Sequence, residues 1–352
     1  MHSTRTPRGT NRSLWALGFA LILVGVSACG GGSGASSPDR PGTDSDGYYP
    51  VTVADCGGRQ TTYEKAPERV FALSDQVAEM LVVLGLGDRI VGVTRFIPDE
   101  KTWPRYRAEI TGLPVVGGPI DYPSQEQIVA TSPDLVIGIF QSGFSERNKL
   151  PSRDGWKQFG ANAFLTAGDC DEAGGTAALT DFDYLYSDLR AFDTIFGVSD
   201  RAEQVIAEMQ SRVAAATAKA QGKPQLSMWN YAGEESPLIA GAPSVPNAIM
   251  TLAGVRNVFA DVAEAYAEVS FEQVVNRNPD TIWIMPDSGA SLGFIDEADG
   301  IETKLLSDPR VANLTAVRNK AFVTISFSTA GIGSPQNVDA LESMVDQLDR
   351  IR

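Results

Sequence analysis

At 352 residues the chain exceeds what one hydrophobic core usually serves, and two domains fit it. Its hydrophobic content of 43% and charged content of 21% are those of a globular protein, which excludes a disordered chain or a multispanning membrane protein for the bulk of it. A net charge of −15 excludes nucleic acid and anionic bilayer surfaces as partners, since both repel it at long range.

Arg5, Arg8 and Arg12 precede the apolar run 14–26, and no acidic residue comes before Asp39, the layout of a secretory signal. The run ends in Val26-Ser27-Ala28-Cys29, a lipobox pattern: small residues suit the signal peptidase, and the Cys29 thiol accepts the lipid. About 13 apolar-rich residues fall short of the roughly 20 that span a bilayer as a helix. Residues 1–28 are therefore expected to be a lipoprotein signal peptide. Residues 29–50, rich in Gly, Ser, Pro and Asp, read as a flexible tether. With Cys29 lipidated, Cys56 and Cys170 remain in an exported protein, and neither CxxC spacing nor histidine supports a metal or redox pair. A disulfide between them would close a loop of about 115 residues and constrain the unfolded chain by order 3–5 kcal/mol.

From residue 51 strands and helices alternate, as in mostly parallel sheets covered on both faces. The N-terminal lobe, 51–178, reads as strands at 51–53 and 68–73, a helix from Ser74, a strand at 89–94 and a turn-rich stretch 98–123. A helix and strand follow over 124–140, then a helix at 156–159 and a strand at 162–166. The connector, 179–223, holds two helices, 181–196 and 199–220, with Ser199 placed to cap the second. Val205, Met209 and Val213 mark one face of that helix, whose reach of roughly 33 Å suits a strut between lobes. The C-terminal lobe, 224–352, has strands at 226–231, 238–241, 281–285 and 321–327 and a closing amphipathic helix at 337–348.

The two lobes echo each other. Residues 124–134 read Ser-Gln-Glu-Gln-Ile-Val-Ala-Thr-Ser-Pro-Asp, and residues 270–280 read Ser-Phe-Glu-Gln-Val-Val-Asn-Arg-Asn-Pro-Asp. Each opens on a serine fit to cap a helix, runs one to two turns, stops at proline and enters an apolar strand. A fainter echo joins 74–92 to 244–260: a serine, an apolar helix, a glycine and a short apolar segment. The order is the same in both halves, so a tandem pair of α/β lobes is expected. No glycine-rich phosphate loop of the required spacing appears in either.

These motifs, in this order, resemble the substrate-binding proteins of bacterial ABC importers for iron-siderophores and cobalamin. The lipobox, Glu68-Arg-Val-Phe-Ala-Leu, Leu84-Gly-Leu-Gly-Asp-Arg-Ile-Val-Gly-Val, the two Ser-x-Glu-Gln…Pro-Asp copies and Leu306-Ser-Asp-Pro carry the likeness over about 50–350. The resemblance implies two Rossmann-like lobes joined by one long α-helix, with ligand in the cleft between them. It further implies that Glu126 and Glu272, third in each copy, dock on arginines of a permease with its ATPase. The same carboxylates would also favour their helix N-termini.

Loops after strand ends supply Ser74, Asp75, Arg95, Phe96, Phe140, Gln141, Trp229, Asn230, Tyr231, Asp287, Phe327 and Ser328 as ligand candidates. Tyr266, shortly before the second copy, stands where cobalamin binders of the family place an aromatic, and Tyr122 holds the comparable place before the first. Aromatic walls with a few directed polar groups suit a bulky, partly flat ligand. Arg95, the one basic member of the set, would neutralise an anionic chelate. A ferric siderophore is the first expectation, cobalamin or a corrinoid the second, another cofactor precursor or a sensor role without transport after them. The protein is expected to be a monomer at the extracytoplasmic face of the membrane, with no resident cofactor or metal.

An enzyme is the rival. Gly289-Ala-Ser291-Leu-Gly293 fits the G-x-S-x-G elbow, but an elbow opens a helix, and Asp296 to Gly300 suggests a loop. A serine triad needs a histidine base, and the one histidine, His2, lies in the signal. The same shortage disfavours free-metal sites and imidazole-ligated haem.

Overall fold

The computed structural model describes residues 47–118, 121–170, 177–233, 235–286 and 298–352, all within one unit, Asp44–Arg352. An antiparallel ribbon, β1 (Val51–Ala54) on β2 (Gln60–Tyr63), comes first. The N-terminal sheet then takes β3 (Val70–Ala72), β4 (Ile90–Val93), β5 (Leu135–Gly138) and β6 (Asn162–Leu165), interleaved with α1 (Asp75–Val83), α2 (Arg107–Thr111) and α3 (Gln125–Ala130). Next come α4 (Asp183–Phe196) and α5 (Ser199–Ala220). The C-terminal half comprises β7 (Ser227–Tyr231), β8 (Leu238–Ala240), α6 (Val245–Leu252), β9 (Arg256–Asn257), β10 (Tyr266–Glu268), α7 (Phe271–Arg277) and β11 (Thr281–Ile284). It closes with α8 (Ala298–Ser307), α9 (Thr315–Arg318), β12 (Phe322–Thr324), α10 (Phe327–Ala330) and α11 (Asn337–Ile351).

The strand orders β4-β3-β5-β6 and β9-β7-β11-β12 correspond one to one, and each sheet is parallel throughout. β5 and β11 are buried at every position, as strands covered on both faces must be. The two strands expected at 51–53 and 238–241 lie outside these sheets, in the ribbons β1-β2 and β10-β8. β10 has no counterpart in the sequence reading, because three residues leave no readable period.

The internal echo is a repeat of capping chemistry. Ser74 and Ser244 each accept the backbone N–H three residues on. At the far ends of α1 and α6, Gly85 and Gly254 take the left-handed conformation, and Leu86 and Val255 donate back to Leu81 and Met250. α3 and α7 both carry capping boxes, Ser124 with Gln127 and Ser270 with Gln273. After each of these helices a residue with positive φ, Ser132 or Asn278, turns the chain into the Pro-Asp pair. The aspartates then hold the start of the neighbouring strand. Asp134 accepts the amides of Glu68 and Arg69, and Asp280 those of Ser227 and its hydroxyl.

α5 starts with Val198 rather than Ser199 at its N-cap, and no side chain caps it. Its first half touches the N-terminal lobe, where Arg201 donates to the Val83 carbonyl and Glu208 pairs with Arg105. Its second half lies along α11, with Arg212 on Glu342 and Lys219 on Asp346. Such surface pairs contribute about 0–1 kcal/mol each. Burial of Ala202, Ile206, Met209 and Ala216 does most of the holding. The largest apolar cluster runs from Val70 and Leu81 through Phe192 and Met209 to Met228, Ile249 and Met344, so the lobes share one core. Each lobe adds a smaller cluster, around Trp156 and around Trp283's neighbour strand residues Ile282 and Ile284. A disulfide joins Cys56 to Cys170, tying the β1-β2 turn to the loop after β6.

Candidate functional site

Parallel α/β sheets offer ligand sites beyond the carboxyl ends of their strands. Here those ends meet across the lobes: a methyl group on Gly168, after β6, would stand 3.1 Å from the Gly333 Cα, after α10. The candidates sort by exposure around that junction.

Two ring pairs are half-buried, one from each lobe. Phe96, beyond β4, meets Tyr122 edge to face at 5.6 Å between centroids, and the Tyr122 hydroxyl lies 3.3 Å from Ser142 Oγ. Tyr266, on β10, lies 6.1 Å from Phe327, the first residue of α10, and its hydroxyl donates to the Gly331 carbonyl. Phe140 and Gln141, at the end of β5, are also half-buried. These six side chains keep surface for a ligand.

Other candidates are committed to the fold. Ser74 is fully buried as the α1 cap. Trp229 is fully buried in the C-terminal core, 4.8 Å from Tyr231 and 6.3 Å from Phe271 between ring centroids. Asn230 is buried as well, and its side-chain oxygen accepts the Ala240 amide, pinning β8 to β7. Trp229, Asn230 and Tyr231 read as cleft residues in the sequence because burial leaves no local mark, and all three are buried. Arg95 departs most from expectation. Only 8% exposed, it sets Nη1 2.6 Å from Asp99, donates from Nη2 to the Ile110 carbonyl and holds Nε 3.5 Å from Asp75. Its charge is spent inside the protein. Asp75 accepts the Phe96 and Ile97 amides at 2.7 and 3.0 Å, and burial pushes its carboxyl up to about 6 against those amides and Arg95. Asp287, Ser291 and Cys29 lie outside the described residues.

Glu126 and Glu272 hold matching places, each the second residue of its helix, and both are exposed. The Glu126 carboxyl sits below the usual carboxylate range, held there by its own backbone amide and then by the Ser124 hydroxyl. Among the described residues no cluster of three or more His, Cys, Asp or Glu gathers to hold a metal, and no helix is long and apolar enough to cross a membrane. Ser142 and Gly331, which hold the two tyrosine hydroxyls, escaped the sequence reading. They stand 20 and 65 residues from their partners, beyond any local pattern.

The family model for periplasmic binding proteins matches residues 70–329. An uncharacterized ABC transporter substrate-binding lipoprotein, YvrC, of Bacillus subtilis is 25% identical over 82% of this chain and 84% of its own. A cobalamin-binding protein of Halobacterium salinarum is 25% identical over 89% of this chain and 79% of its own. Among solved structures, an ABC-type Fe3+-hydroxamate transport system protein of Saccharomonospora viridis superposes with a TM-score of 0.71 at 26% identity, covering 85% of this chain and 99% of its own.

Proposed function

The chain belongs to the periplasmic binding protein family, and on that premise we propose that it is the extracytoplasmic binding lipoprotein of an ABC importer, capturing a ferric siderophore and delivering it to a permease. The observation that carries the ligand reading is the pair of half-buried ring pairs, Phe96 with Tyr122 and Tyr266 with Phe327, one at the strand ends of each lobe. Half-buried rings suit a bulky chelate whose metal is already wrapped and needs no protein ligand. With Arg95 committed to Asp75 and Asp99, the six half-exposed candidates contain no cation. That favours a chelate without net negative charge, a ferric hydroxamate over a ferric catecholate. The same rings support cobalamin or a corrinoid as the second reading, in keeping with the Halobacterium relative.

Docking is assigned to Glu126 and Glu272, whose repeated positions put one carboxylate on each lobe for cationic sockets. Anchoring is assigned to lipid on Cys29. Calorimetric titration of the purified full chain with ferric hydroxamate, ferric catecholate, haem and cobalamin tests the ligand. Micromolar or tighter binding of a neutral chelate, lost in Tyr122→Ala and Tyr266→Ala, is the expected result; heat from none of the four would sink the reading.

A further inference from the structure

The lobes meet through a buried polar cluster. Asp75 and Glu79, one turn apart on α1, are each 1% exposed. Asp75 is well supplied, with two backbone amides on Oδ2 and Arg95 beside Oδ1. Glu79 is not. Its Oε1 accepts the Gln336 side-chain amide at 2.6 Å across the lobes, the Ser334 hydroxyl adds a second donor, and Oε2 has no hydrogen-bond partner. The other charges that face it are Asp75 on its own helix and Asp339 on α11, and Asp339 is met by Arg212 and the Trp103 indole.

An ionised carboxylate buried without a cation costs several kcal/mol, on the order that makes a group keep its proton instead. Burial, then the Asp75 charge, accordingly push Glu79 well above the carboxylate range. Two neighbouring carboxyls thus differ in environment: Asp75 has two backbone amides and Arg95 to meet a charge, and Glu79 has no cation beside it. The cluster also reaches both ring pairs. Asp75 holds the Phe96 amide, while Gln336 follows shortly after Gly331, whose carbonyl takes the Tyr266 hydroxyl.

We propose that Glu79, uncharged against Gln336, is a positioning residue that clasps the lobes and sets the two ring pairs relative to each other, so that the binding face keeps its shape only while Glu79 holds its proton. The ligand arm of this rests on the chelate reading above; the clasp itself does not. A carboxyl raised in the folded state contributes stability that is full below its unfolded value, about 4.5, and lost as pH rises through the folded one. Asp75 adds the same sign of change, and its loss is complete about a unit above its folded value of about 6. Asp188, also buried and raised, acts alike, so the Glu79 share is the difference between wild type and Glu79→Gln.

The test is thermal melting of the full chain between about pH 6 and pH 9, with infrared spectra near pH 7 and chelate titrations over the same range. Wild type is expected to melt lower as pH rises, to show the carbonyl band of a protonated buried carboxyl, and to lose chelate affinity several-fold. In Glu79→Gln, which keeps an acceptor for Gln336 and cannot ionise, the band weakens to the Asp188 share, the melting slope flattens and the affinity holds. Equal slopes in both proteins, or an ionised Glu79 near pH 7, overturn the clasp. Should the variant not fold, Gln336→Leu decides, since removing the donor on Glu79 is expected to shift the Glu79 carbonyl band and leave that of Asp188 in place, and an unshifted spectrum overturns the clasp. Failure of every chelate to bind at pH 6 overturns the ligand reading, and the melts and band still decide the clasp.

Discussion

The two lobes share a scaffold and differ in how they present their rings. In the N-terminal lobe, Phe96 and Tyr122 both sit in loops, between β4 and α3, and the Tyr122 hydroxyl meets a serine side chain. In the C-terminal lobe, Tyr266 lies within β10 and Phe327 opens α10, and the Tyr266 hydroxyl is held by backbone. The N-terminal lobe also carries a covalent cross-link, Cys56 to Cys170, whereas the C-terminal pair leans on the β8-β10 ribbon. A duplicated frame can thus be kept by repeated caps while the binding surface is built where the copies diverge.

The largest test of this contrast removes the cross-link. Cys56→Ala with Cys170→Ala is expected to lower stability by about 3–5 kcal/mol in urea titration. A loss under about 1 kcal/mol would mean the N-terminal lobe does not depend on its staple.

The aspartates test the likeness instead. Asp134→Ala and Asp280→Ala each strip a carboxylate from a strand start, and each is expected to lower stability by about 2–3 kcal/mol, to similar extents. Clearly unequal losses would break the equivalence of the two repeats.

Next come the glycines beneath the rings. A methyl on Gly331 would stand 2.3 Å from the Phe327 ring, so Gly331→Ala should displace that ring and weaken chelate binding by about tenfold. On Gly143 it would meet Leu73 at 3.1 Å and Tyr122 only at 3.6 Å, and binding should change little. The reverse ranking in titration would mean the N-terminal pair is the more rigid.

Smallest in stability are the exposed carboxylates. Glu126→Ala and Glu272→Ala should each leave the urea unfolding midpoint essentially unchanged. Uptake in cells should nevertheless fall for both, and uptake that survives the double variant would remove the docking assignment.

The repeated helix joints, the parallel sheets and the disulfide partners were legible in the residues themselves. Caps, breakers and apolar runs act within a few positions, so Ser124 with Gln127 or Gly85 after α1 can be read locally. The exposed glutamates were legible for the same reason, since a helix start fixes where its second residue points. Tertiary structure alone decided which candidates face solvent and which serve the core. Arg95 looked available until Asp75, Asp99 and the Ile110 carbonyl closed around it, and Trp229 looked like a cleft residue until Tyr231 and Phe271 covered it. It alone brought Gln336 to Glu79, 257 residues away. Burial and partnership at such separations come from how the lobes pack together, and no stretch of chain a few residues long encodes that.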